Sequence, residues 1–94
     1  MAISSVTEFE LLRGSNGKQS VYWEKLLSSF IIYPFDSEAA RISCELDKKL
    51  KKKRKKIDIP DLFIAAIAVS NNLTLATLNR QHFERVVGLR LFDE

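Results

Sequence analysis

The stretch Pro60-Asp61-Leu62-Phe63-Ile64-Ala65-Ala66-Ile67-Ala68-Val69 leaves this chain little freedom. After Asp61 eight consecutive residues are apolar, so a helix here has no polar face and has to be buried nearly all round. Pro60 suits the first helical position, where its missing N–H would have no partner anyway. Asp61 follows in the first turn, beside unpaired backbone N–H groups and the positive end of the helix dipole, where negative charge is favoured. A carboxylate at the mouth of so apolar a helix is either a helix-terminal charge or part of a site, and the residue types alone leave both readings open.

Around this helix the pattern alternates between strand and helix. Ala2–Ser5 reads as a short strand leading into a helix over Val6–Arg13, with Ser5-x-x-Glu8 as its capping box. Glu10 is then free for other work, three residues from Thr7 on one face. Gly14-Ser15-Asn16-Gly17 interrupts the chain. A second helix is predicted over Lys18–Phe30, with Trp23, Leu26, Leu27 and Phe30 at core spacing, which makes Trp23 a packing residue. Ile31–Phe35 is β-rich, and Pro34 places it at a sheet edge or strand end. Asp36 and Ser37 offer N-caps to a long helix whose buried stripe is Ala39, Ile42, Leu46 and Leu50. After the Asp61 helix, Asn71-Asn72 makes a stop, Thr74–Thr77 a buried strand, Arg80–Val86 a short helix capped by Asn79, and Leu89–Phe92 a closing strand. Strands separated by helices imply an α/β fold with a parallel sheet and helices on both faces, and sites in such sheets form at the carboxyl ends of the strands.

Composition narrows the function classes. Ninety-four residues, 46% of them hydrophobic, can bury one modest core, and no linker or repeat divides residues 1–94 into more than one domain. Cys44 is the single cysteine, so neither an internal disulfide nor a Cys/His zinc set can form, and it lacks a basic partner that would make it reactive. No apolar run reaches membrane-spanning length and the N-terminus has no signal-peptide pattern, so the expected setting is cytoplasmic, with no membrane partner. The net charge of +3 hides an asymmetry. Eight of the 15 basic residues lie in Lys48–Lys56; without that run, seven Lys/Arg face 12 Asp/Glu. Lys51, Lys52, Lys53, Arg54, Lys55 and Lys56 are candidate phosphate contacts, with a solvated helix end as the competing reading. No aromatic residue interleaves them, so the run offers no base-stacking platform.

Three blocks in order carry a family resemblance. They are Ile3-Ser4-Ser5-Val6-Thr7-Glu8-Phe9-Glu10-Leu11-Leu12-Arg13-Gly14, Asp61-Leu62-Phe63-Ile64-Ala65-Ala66, and Leu73-Thr74-Leu75-Ala76-Thr77-Leu78-Asn79-Arg80-Gln81-His82-Phe83-Glu84-Arg85-Val86, followed by Gly88-Leu89-Arg90-Leu91-Phe92. Together they resemble the PIN-domain family, and most closely the VapC toxins of toxin–antitoxin pairs, over essentially the whole chain. The resemblance implies a PIN-like three-layer α/β/α fold, here N-terminally truncated. The family's opening strand, with its first catalytic aspartate, has no counterpart before Glu8. That strand lies at the centre of the family's sheet, and its loss would expose two strand edges. Residues 1–94 would thus form a single partial domain that associates as a dimer or larger homo-oligomer, by strand exchange among other routes.

The same resemblance implies a Mg²⁺- or Mn²⁺-dependent endoribonuclease held in check by an antitoxin protein. Glu10 and Asp61 would be metal ligands and catalytic acids, with Thr77 and Asn79 orienting the acids or a bound water. Hard cations prefer such carboxylate oxygens and can polarise a phosphodiester and activate water for in-line attack. Asn79 stands where many relatives carry Asp, so the expected nuclease is an impaired one. His82 is read as a surface histidine rather than a general base. The alternative is a non-catalytic remnant serving as a protein-interaction or RNA-binding module.

Overall fold

The computed structural model describes residues 2–77 and 80–92, which fall into two compact units, Met1–Pro34 and Phe35–Glu94. The first unit runs β1 (Ala2–Ser4), α1 (Ser5–Arg13), α2 (Lys18–Leu27), β2 (Ile31–Tyr33). β1 and β2 pair in parallel with Ala2 opposite Ile31, Ile3 opposite Ile32 and Ser4 opposite Tyr33, so the two helices form the crossover that parallel pairing requires.

Local chemistry sets the boundaries of this unit, not always where the sequence reading put them. The N-cap of α1 is Ser4, whose Oγ accepts from the Thr7 N–H at 3.0 Å and meets Thr7 Oγ1 at 3.0 Å. The expected box of Ser5 and Glu8 is therefore shifted by one residue, because Ser5 already adopts the helix and the extended Ser4 keeps its hydroxyl over the first turn. At Gly17, φ of 53° with ψ of −123° is a conformation that only glycine adopts readily, and it reverses the chain into α2. α2 stops at Leu27 rather than Phe30. Ser28 and Ser29 donate to the carbonyls of Lys25 and Leu26 at 2.6 and 2.7 Å, taking acceptors that a continuing helix would use. Trp23 is half-buried and meets Tyr22 edge-on at 5.5 Å, in keeping with a packing role.

The second unit runs α3 (Ser37–Lys52), α4 (Ile59–Ser70), β3 (Thr74–Leu75), α5 (Arg80–Phe83), β4 (Arg90–Leu91). Asp36 caps α3 through its Oδ1 and the Ala39 N–H at 2.9 Å, as its position before the apolar stripe predicts. α3 packs chiefly on α4. Leu46 and Leu50 of α3, Leu62, Ala65 and Ala66 of α4, and Phe83 and Val86 beyond form one buried cluster. Two alanines with no exposed surface leave room on α4 for the leucines of α3. Ser43, buried on the same stripe, satisfies its hydroxyl by donating to the Ala39 carbonyl at 2.8 Å. Ile67 is also buried, but Ile59 at the open end of α4 is exposed and Phe63, Ile64 and Val69 are only half-buried, so the helix is buried less completely than its apolar sequence predicts.

α3 and α4 end in the same way. Asn72 sits at φ +56°, and the Leu73 N–H reaches back to the Ala68 carbonyl at 2.8 Å. Arg54 sits at φ +56°, and the Lys55 N–H reaches back to the Leu50 carbonyl at 2.9 Å. Each is a left-handed cap that satisfies orphan carbonyls, but asparagine tolerates it far better than arginine. β3 and β4 pair in parallel over two positions, Thr74 with Arg90 and Leu75 with Leu91, extended by Phe92 N–H to Leu75 O at 2.9 Å. The strands are shorter than expected because the ladder spans only those two pairs. α5 ends at Phe83 rather than Val86, and Gly88 at φ +86° turns the chain toward β4. No described helix is long and apolar enough to cross a membrane.

Candidate active site

Asp61 lies in the first turn of α4, but not as the cap. Asp58 is the N-cap residue, Ile59 the first helical residue, and Pro60 the second rather than the first. Asp58 makes no side-chain cap bond. The Asp61 side chain is 21% exposed, and among the described residues its ion-pair candidate is His82, with Nδ1 at 3.7 Å from Oδ2. That distance gives an ion pair when the imidazole is protonated and is too long for a hydrogen bond. Asp61 is thus a carboxylate held in place by a buried helix and not used in capping it.

His82 is exposed, as the sequence reading has it, yet α5 carries it to Asp61 across 21 positions of sequence. Nothing local in the sequence signals this proximity, which depends on Phe83 being packed into the core beside α4. Phe63, two residues after Asp61, stacks at 4.1 Å on Phe35 and fixes the first turns of α4 from another side.

The remaining candidates are placed as follows. Glu10 is exposed on α1 in the first unit. Thr77 is half-buried in the segment after β3, two residues beyond the strand rather than in it. Asn79 lies outside the described residues. Lys51 is paired with Asp47 at 3.0 Å, whereas Lys52, Lys53, Arg54, Lys55 and Lys56 are exposed and have no acidic partner among the described residues. The basic run gains a cation that sequence reasoning missed: Arg85 donates from Nη1 to the Lys56 carbonyl at 2.6 Å.

Carboxylate oxygens such as those of Asp61 are the right donor chemistry for Mg²⁺ or Mn²⁺. Their number falls short, since no three His, Cys, Asp or Glu side chains gather around one point among the described residues. Asp61 beside His82 does not make a complete cation site.

The PIN-domain family model matches residues 1–89. This chain belongs to the PIN-domain family. It is 36% identical over 96 residues to ribonuclease VapC1 of Methanocaldococcus jannaschii, covering 99% of this chain and 71% of that protein. It is 34% identical to ribonuclease VapC10 of Mycobacterium tuberculosis, covering 88% of this chain and 62% of that protein. Among solved structures, DNA-bound VapBC from Salmonella typhimurium superposes with a TM-score of 0.88 at 30% identity, over 99% of this chain and 74% of that one. The chain therefore spans between 62% and 74% of the length of these relatives, and its α/β fold with parallel strands is the PIN fold.

Proposed function

We propose that this PIN domain is an endoribonuclease of the VapC type, acting in the cytoplasm and restrained by an antitoxin protein. Asp61 carries the reading: a carboxylate largely enclosed at the end of a buried helix, within the sequence block shared with VapC ribonucleases, and left out of the capping of its own helix. Support for an antitoxin partner comes from the VapBC complexes that share its fold.

Glu10 and Asp61 are the proposed acids, and Thr77 and Asn79 the proposed orienting groups. Asp61 offers a negative charge in the reacting phosphate's surroundings, with His82 beside it at 3.7 Å. A divalent cation bound by the acids would supply positive charge to the phosphodiester undergoing attack. With Asn79 in place of an acid, weak Mg²⁺ or Mn²⁺ binding and slow cleavage are the expected behaviour.

The test is cleavage of a 5′-labelled single-stranded RNA followed on a sequencing gel, with Mg²⁺ or with EDTA. Slow endonucleolytic products that require the divalent cation are expected. RNA that is bound but left intact at every protein concentration overturns this reading in favour of a non-catalytic binding module.

A further inference from the structure

The segment joining α3 to α4 carries more positive charge than its helix can account for. A helix dipole favours cations only within the last turn, which covers Lys49, Lys51 and Lys52. Lys53, Arg54, Lys55 and Lys56 lie past the helix end, adjacent to one another and exposed. Neighbouring like charges repel, and no acidic side chain among the described residues offsets them.

The segment is also built, not loose. Leu50, 3% exposed, anchors one end in the core, and half-buried Ile57 packs against the same cluster at the other. Between them the left-handed cap at Arg54 fixes the backbone with two hydrogen bonds, Arg54 N–H to Lys51 O at 3.0 Å and Lys55 N–H to Leu50 O at 2.9 Å. Glycine would fill that position with no steric cost, yet arginine holds it. Arg85 is then drawn onto the segment from beyond α5 through the Lys56 carbonyl, using one of its five N–H donors. A rigid turn that concentrates five cations and recruits a sixth fits a polyanion.

We infer that Lys52, Lys53, Arg54, Lys55 and Lys56, with Arg85, form a tract that binds successive phosphates of a single-stranded nucleic acid, the RNA that the domain acts on. This assignment of the strand to RNA rests on the proposed ribonuclease reading. Lys56 and Asp61 are only five positions apart, a span of at most about 18 Å, so a strand lying on the tract passes within a few nucleotides of that carboxylate. The tract holds no aromatic side chain, so it grips the backbone without reading bases, and Lys51 is committed to Asp47.

The test is fluorescence anisotropy of a labelled 20-mer RNA, and of DNA of the same sequence, titrated in EDTA at several salt concentrations. EDTA separates binding from cleavage. The fourfold variant K52Q/K53Q/K55Q/K56Q should lower the slope of log K against log salt by about 3 and weaken binding at 0.1 M salt by about 600-fold, as expected for four lost single-strand phosphate contacts. R85Q should lower the slope by about 0.7. The charge-preserving variant K52R/K53R/K55R/K56R should restore the slope, and K18Q/K25Q in the first unit should leave it unchanged. A slope unchanged by the fourfold variant, or binding to the DNA alone, overturns the tract. Normal cleavage by the fourfold variant with an unchanged slope removes the tract and leaves the ribonuclease reading standing; salt-sensitive binding that follows the variants without any cleavage does the reverse.

Discussion

Replacing Arg54 by glycine should make the protein more stable. Arg54 holds φ +56°, where a side chain with a Cβ costs about 1–2 kcal/mol. Glycine removes that cost but gains freedom in the unfolded chain, which returns about 0.4–1 kcal/mol. The net gain is about 0.5–1 kcal/mol, and relief of repulsion from the adjacent lysines acts in the same direction. For a chain of this length that corresponds to a rise in Tm of about 2–8 °C, read by circular dichroism at fixed ionic strength. Arg54→Ala separates conformation from charge, because alanine loses the same charge but keeps the steric cost. It should melt within about 1 °C of the parent, the interval left by relieved repulsion on a solvent-exposed segment. Equal Tm gains for glycine and alanine would refute the conformational argument, and a lower Tm for glycine would mean that the Arg54 side chain is itself stabilising. The gain in stability should come with weaker nucleic-acid binding, the salt slope falling by about 0.7.

Leu50→Ala removes a 3% exposed side chain from the α3–α4 cluster and should cost about 2–5 kcal/mol in urea unfolding. A loss below about 1 kcal/mol would show that the cluster is not the core of its unit. Mn²⁺ titration followed by electron paramagnetic resonance should give weak binding that Glu10→Gln or Asp61→Asn abolishes without changing the far-UV spectrum; unaltered binding in both variants would remove these acids as ligands. Among the described residues each strand pairs with a single neighbour, and Phe9, Val21, Tyr22 and Ile31 are exposed on the first unit, so sedimentation at low micromolar concentration should give a dimer or larger species. A cooperative monomer would contradict that expectation.

What the sequence made legible is the part governed by neighbours within about four residues. The Asp36 cap, the Ala39–Leu50 stripe, the apolar α4 and the Asn72 stop all follow from local spacing, and the structure places each of them there. The errors at element ends have local causes too fine for pattern reading, such as which of two adjacent serines caps α1, or Ser28 and Ser29 drawing carbonyls away from α2. The candidate site was legible in its residues but not in its surroundings. Asp61 stood out as the single charge on an apolar helix, while His82 beside it and Arg85 against Lys56 arise from packing across 21 and 29 positions. A lone histidine on a short helix reads as a surface residue, which the structure bears out, whereas its proximity to a distant carboxylate leaves no local signal.

The central claim is that Asp61 serves RNA cleavage rather than the fold. It is tested most directly by the single-turnover cleavage rate of Asp61→Asn beside the parent chain, with thermal unfolding measured on both. Asparagine keeps the size of the side chain and removes its charge, so Tm should change by no more than about 2 °C while cleavage falls at least about a hundredfold, roughly 2.7 kcal/mol of transition-state stabilisation. Cleavage at the parent rate by a folded Asp61→Asn chain would contradict the account.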